Sequence, residues 1–217
     1  MKEILIVFGG WARDSKTYKG LVKKTPVGWQ TEIVQIDDLI KNGDVETFQH
    51  NTLRYLESHN FPQINLLGHS IGGAFALQFA YNNPQKVKRL LLVDSEGINA
   101  KETLPELTVN FLKATGLHGR KKLGQNLRAM VKLLRNPKTH IKLARYVHYL
   151  SIEKEARGLK VPTTIIWGEQ DHLTPQSQGK RLSELIPNSK LIILKGLDHD
   201  WIIHQPQKFW DNLKLVV

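Results

Sequence analysis

The decapeptide Ile64-Asn65-Leu66-Leu67-Gly68-His69-Ser70-Ile71-Gly72-Gly73 restricts what this chain can fold into more than any other stretch. Its opening run, apolar except for Asn65 and preceded by Phe61-Pro62, reads as a short buried strand. From Gly72 onward Ala74, Phe75, Leu77, Gln78, Ala80 and Tyr81 recur at helical spacing until Asn82-Asn83-Pro84 stops them. The intervening Gly68-His69-Ser70-Ile71-Gly72 is a G-x-S-x-G, a sharp strand-to-helix turn that lifts a serine hydroxyl to the edge of a sheet. The turn is so tight that a Cβ at Gly68 or Gly72 would strike neighbouring backbone. Ser70 thereby sits at a helix N-terminus, where unpaired N–H groups and the positive end of the helix dipole would stabilise an oxyanion.

Strands and helices alternate on both sides of this turn. Lys2 to Phe8 is a β-branched apolar strand, followed by the polar loop Gly9 to Ser15 and a short helix from Lys16 to Lys23. Thr31 to Ile36 is a second strand, ended by Asp37-Asp38. Asn42 or Asp44 is placed to cap a helix through Val45, Phe48, Leu53 and Leu56. Val87 to Val93 is a continuous buried strand apart from Lys88 and Arg89. Thr163 to Trp167 and Lys190 to Leu194 are two more strands, with a helix from Gln176 to Ile186 between them and a last helix from Gln205 to Val216. The alternation predicts an α/β fold, a mainly parallel, doubly wound sheet of about six strands. Residues 98–159 break the rhythm. They read as helical throughout, with weak punctuation at Pro105, Gly116, Gly119 and Pro137, and are expected to form a lid above the C-terminal ends of the strands. Residues 1–97 and 160–217 would then form one core, which a chain of 217 residues is long enough to bury.

A serine hydroxyl is a poor nucleophile at neutral pH. It needs a histidine within reach, and that histidine needs a carboxylate to fix its tautomer. In the order Ser, acid, His, two loops beyond strand C-termini meet the need. One is Gly168-Glu169-Gln170-Asp171-His172-Leu173-Thr174-Pro175, and the other is Lys195-Gly196-Leu197-Asp198-His199-Asp200-Trp201. Glu169 is a second carboxylate on the first loop, and Asp94, after the preceding strand, is a third from which the histidine could be reached.

From Lys2 to the last helix the chain resembles an α/β-hydrolase-fold serine hydrolase of the esterase or thioesterase kind. The resemblance is carried by Gly9-Gly10-Trp11, Gly68-His69-Ser70-Ile71-Gly72-Gly73, Trp167-Gly168-Glu169-Gln170-Asp171 and Gly196-Leu197-Asp198-His199. It implies Ser70 as nucleophile, Asp171 as acid and His199 as base, with the backbone N–H groups of Ile71 and Trp11 as the oxyanion hole. It further implies an acyl-enzyme route to ester or related acyl cleavage, with no cofactor. Trp11 and His69 are the expected pocket residues, His69 also being read as a packed structural residue. Two departures stand out: Gly9 replaces the family's histidine in the first loop, and Leu197-Asp198 replaces a common Gly before His199. The loss at Gly9 puts the rigidity of that loop in question.

The chain has no cysteine, which excludes disulfides, thiolate metal sites and cysteine nucleophiles. Asp198, His199, Asp200 and His204 lack the spacing of a metal site, so no metal is expected. The N-terminal apolar run is too short for a signal sequence, and no run is long enough to span a membrane, so a cytoplasmic protein, monomeric by default, is expected. The net charge of +11 is clustered: from Leu107 to Ile152 there is no acidic residue. Charges on such helices read as a solvated outer face, or as a site for an anionic acyl substrate, an anionic lipid surface or nucleic acid. No nucleic-acid-binding motif accompanies them. A non-catalytic ligand-binding protein on the same fold is the remaining alternative.

Overall fold

A computed structural model of the chain describes residues 2–40, 42–98 and 119–213. Six strands, β1 (Glu3–Phe8), β2 (Trp29–Val34), β3 (Ile64–His69), β4 (Val87–Val93), β5 (Thr163–Gly168) and β6 (Lys190–Leu194), form one sheet in the order β2-β1-β3-β4-β5-β6. Every neighbouring pair is parallel. The expected α/β architecture is therefore present.

The strand periodicity of two sorts the apolar side chains into two cores. Ile6, Phe8, Leu66, Leu90, Leu92 and Ile165 point to one face of the sheet, with Phe75 and Phe79 of α4 (Ile71–Asn82) packed among them. Leu5, Val7, Leu67, Leu91, Val93 and Ile166 point to the other, covered by Trp201, Phe209 and Trp210. Burial on both faces is why the central strands read as unbroken apolar runs rather than alternating ones. The chain leaves β1 for β2 on one side and returns to β3 on the other. The C-terminal ends of β1 and β3 thus flank a topological switch point, where open α/β sheets bind ligands.

The helices before the elbow are α1 (Lys19–Lys23), α2 (Ile36–Leu39) and α3 (Thr47–Ser58). β2 ends two residues earlier than expected, because its pairing with β1 stops at Phe8 opposite Val34. Asp37 and Asp38 open the first turn of α2, where the helix dipole favours acidic side chains, instead of closing the strand. The N-cap of α3 is Glu46 and not the expected Asn42 or Asp44; Asp44 lies in the preceding turn, where its Oδ1 accepts the Glu46 N–H at 3.0 Å.

Between β4 and β5 lie α5 (Gly119–Arg135), α6 (Pro137–Tyr149) and α7 (Glu153–Arg157). The helical expectation for residues 99–118 lies outside the described residues. After β5 come α8 (Gln176–Leu185), α9 (Trp201–His204) and α10 (Pro206–Leu213). The short α9 is an addition to the expected elements. It seats Trp201 in the second core, directly after the loop that carries His199.

Candidate active site

The elbow takes the shape that its glycines require. Ser70 has φ 57° and ψ −130°, a strained conformation for a residue with a side chain. A Cβ on Gly72 would lie 2.2 Å from the Phe8 carbonyl oxygen, and one on Gly68 would lie 2.4 Å from the Gly73 Cα. The helix start is thus pressed directly onto the C-terminal ends of β1 and β3. Ser70 is half-buried, and its N–H donates to Val93 O at 3.1 Å. Ile71 is the first residue of α4, so its N–H belongs to the unpartnered set of a helix N-terminus.

Asp171 and His199, predicted from two separate loops, meet. The His199 Nδ1–H donates to Asp171 Oδ2 at 2.7 Å, which leaves Nε2 as the basic nitrogen. Asp171 is saturated: Oδ1 accepts the N–H groups of Leu173 and Thr174 at 2.8 and 2.9 Å, and Oδ2 also accepts the Thr174 hydroxyl at 2.6 Å. Burial works to raise the Asp171 pKa, but His199 and these hydrogen bonds outweigh it and hold the carboxyl below its ordinary range. Burial works to lower the His199 pKa; the Asp171 charge and hydrogen bond outweigh it and lift the imidazole to about 9. Thr174, fully buried and absent from the sequence reading, is the clamp of this pair. Its D-x-x-T spacing from Asp171 is the signal that could have found it.

His69, expected beside Trp11 in the substrate pocket, has both ring nitrogens engaged below the elbow and is 1% exposed. Its Nε2–H donates to the His199 carbonyl oxygen at 3.0 Å, since a carbonyl can only accept. Nδ1 must therefore accept, and it takes the Tyr18 hydroxyl proton at 2.8 Å. The Tyr18 oxygen in turn accepts the Gly10 N–H at 2.8 Å. One directed chain thus runs from the loop after β1, through Tyr18 and His69, to the backbone of His199. Burial, with His199 beside it, lowers the His69 pKa to about 4, and burial raises that of Tyr18, so both stay neutral and the chain stays intact at neutral pH.

This chain also explains Gly9. A Cβ there would lie 2.7 Å from the Tyr18 ring. The space that the family's histidine side chain would need is filled by a tyrosine nine residues later, and that tyrosine holds the loop. Farther along the same loop Arg13 pairs with Asp200 at 3.1 Å, a second tie between the two loops.

The other carboxylates fall elsewhere. Glu169 Oε2 accepts the Gly196 N–H at 2.9 Å and braces the β6 turn. Asp94 is fully buried, with φ 44°; Oδ1 accepts the Gly168 N–H at 2.7 Å. Its Oδ2 accepts no hydrogen bond of good geometry, while the Trp201 indole N–H acts on the carboxyl to lower its pKa. Burial first, then the neighbouring Asp171 charge, push the Asp94 pKa well up. A carboxyl shifted up thus lies next to one shifted down. Among the described residues no group of three or more His, Asp or Glu is arranged to hold a metal.

Trp11 and Ile71, the two expected oxyanion donors, line the same narrow cleft of about 10 Å³, which Lys132 of α5 and Leu143 of α6 also line. Among the described residues Ser70 Oγ has no hydrogen-bond partner, so the structure brings together Asp171 with His199 and Trp11 with Ile71, but forms no bond from His199 to the serine. The inserted helices are anchored by charge. Lys132 Nζ pairs with Asp37 Oδ2 at 2.5 Å and donates to Gln35 Oε1 at 3.0 Å and Arg13 O at 3.3 Å. Arg128 pairs with Asp14 at 3.3 Å.

Residues 40–116 match the family described as alpha/beta hydrolase fold. Among characterised proteins, the chain is 24% identical to a 2-hydroxy-6-oxononadienedioate/2-hydroxy-6-oxononatrienedioate hydrolase of Cupriavidus pinatubonensis, over 88% of this chain and 75% of that one. It is 22% identical to a pimeloyl-[acyl-carrier protein] methyl ester esterase of Legionella pneumophila, over 90% and 87%. The crystal structure of the enol-lactonase from Burkholderia xenovorans superposes with a TM-score of 0.82 at 14% identity, covering 98% of this chain and 90% of that one.

Proposed function

We propose that this chain, a member of the α/β-hydrolase-fold family, is a serine hydrolase that cleaves a carboxylic ester or related acyl bond through an acyl-enzyme. The observation that carries the reading is the Asp171–His199 pair, held at 2.7 Å and bonded through His69 to the elbow bearing Ser70. In this reading His199 Nε2 removes the Ser70 proton as Oγ attacks the carbonyl carbon. The tetrahedral oxyanion is met by the Ile71 and Trp11 N–H groups, whose worth lies in being fixed before charge develops. His199 then passes its proton to the leaving alkoxide. In the second half it takes a proton from water, which attacks the acyl carbon and releases Ser70. Asp171 stays ionised throughout and stabilises the imidazolium.

The named activities of the relatives, methyl ester hydrolysis on a pimeloyl carrier protein and hydrolysis of an oxo-diacid, set the carbonyl compounds to try beside simple esters. The test is a fluorophosphonate probe followed by peptide mapping, with p-nitrophenyl esters of rising chain length as substrates. Label on Ser70, lost in Ser70→Ala together with ester turnover, is expected. A folded protein that takes no label, or a Ser70→Ala variant labelled equally, refutes the reading.

A further inference from the structure

The helix α5 is unusual for a surface helix. Leu127, Met130, Val131 and Leu134 recur at i, i+3, i+4 and i+7, the spacing of a core-facing stripe. Yet these four side chains are between 39 and 72% exposed. The cations Arg128 and Lys132 lie roughly 130° around the helix axis at 3.6 residues per turn; Arg128 is exposed and pairs with Asp14, while Lys132 is turned inward to Asp37. An apolar stripe is thus left outside while one cation, Lys132, is drawn in. On α6 the outward set is Lys138, Ile141, Lys142 and Arg145, again at i, i+3, i+4 and i+7 and all exposed. An apolar stripe is thus followed, after one intervening residue, by a cationic stripe.

We infer that this outward face of α5 and α6 seats the protein on an anionic lipid surface. Three observations choose that occupant. Four apolar side chains in a row are what an interfacial helix sinks into the boundary between headgroups and acyl chains, and they have no use for nucleic acid. The cations beside them match a surface of phosphate headgroups. The absence of any acidic residue from Leu107 to Ile152 opposes a second copy of the chain, because a two-fold contact on this face would bring like charges together. No helix among the described residues is long and apolar enough to cross a membrane, so the contact is one that lies on the surface. The seat is on the helices that line the cleft through Lys132 and Leu143, so docking would bring the cleft near the lipid. The inference stands on surface pattern alone and does not depend on the serine chemistry.

The test is co-sedimentation of the full chain with vesicles of phosphatidylcholine alone and of three parts phosphatidylcholine to one part phosphatidylglycerol, at low and high salt. Retention on the anionic vesicles, loss at high salt and little retention on the neutral ones are expected. Lys138→Gln with Lys142→Gln should weaken partitioning about 25-fold, at about fivefold per charge. Leu127→Ser with Leu134→Ser should weaken it by at least as much while leaving the circular dichroism spectrum and ester turnover unchanged. Equal retention on both vesicle types, no retention on the anionic ones, or indifference to the leucine substitutions overturns the inference. So does a dimer by light scattering that Leu134→Ser dissociates, and so does retention on duplex DNA that the leucine substitutions leave intact.

Discussion

Tyr18→Phe removes one oxygen atom from the middle of the buried chain and leaves every carbon in place. Two groups lose their partner at once: the Gly10 N–H and His69 Nδ1. His69 is 1% exposed and Tyr18 fully buried, so water does not replace the oxygen at Nδ1; Gly10 is less deeply placed and recovers part of its loss. At about 1–3 kcal/mol for each buried group left unsatisfied, the sum is about 2–4 kcal/mol. That is a large share of the roughly 5–15 kcal/mol by which a domain is stable. Urea unfolding should show the midpoint falling with an unchanged slope. The same substitution loosens the loop that presents Trp11. Full loss of an oxyanion donor costs about 10²–10³ in kcat, so a loosened one should cost on the order of tenfold. KM should hardly move, because that contact tightens only in the transition state. A variant within about 0.5 kcal/mol of the parent with kcat unaltered would show that the hydroxyl bridges nothing of consequence, and the argument for Gly9 and Tyr18 as a replaced support would fall with it.

His199 can act as base only when neutral, so kcat/KM should rise with pH on a limb lying above the ordinary histidine value of 6.5, toward 9; a limb below 6.5 would contradict the pairing with Asp171. Asp171→Asn should lower kcat by about 10⁴-fold and move that limb down, measured with a p-nitrophenyl ester across pH. Asp94 has a folded pKa above its unfolded one, so its contribution to stability is complete below about 3.8 and is lost as pH rises through the folded value. Asp94→Asn, an isostere at ease with positive φ, should match the parent in acid and exceed it in alkali; equal thermal midpoints at alkaline pH would refute the upward shift of Asp94. Gly72→Ala should fail to accumulate as folded protein, since its methyl would meet the Phe8 carbonyl at 2.2 Å; a soluble variant with parental unfolding would mean that the elbow yields.

What the sequence made legible followed from backbone necessity. The elbow needs its two glycines, the parallel strands need apolar residues on both faces, and the acid and base need strand ends. Each of these leaves a local mark. The links between segments leave none. Nothing around Tyr18 signals a partner 51 positions away at His69, and Gly9 alone reads as a loss of support because the ring that fills its place is contributed by another stretch. Thr174 was visible only as a residue near Asp171. The helices at 119–149 showed an amphipathic pattern, but periodicity fixes which residues share a face and not which face turns inward. On α5 the inward turn of Lys132 goes with Asp37, which lies far away in the chain. The end of β2 was likewise set by its partner, since Ile36 is as strand-like in isolation as Ile33.

The elbow, the Gly9–Arg13 loop and the His199 loop are joined through Tyr18 and His69 and by the Arg13–Asp200 pair, and none of these four residues belongs to the segment spliced between β4 and β5. In the proposed serine chemistry, the acid and base are thus held by a different part of the chain from the helices that line the cleft. A foreign insert between Gly97 and Leu159 would redraw what reaches Ser70 while leaving the acid and base aligned. One residue added between Gly10 and Tyr18 would do the reverse.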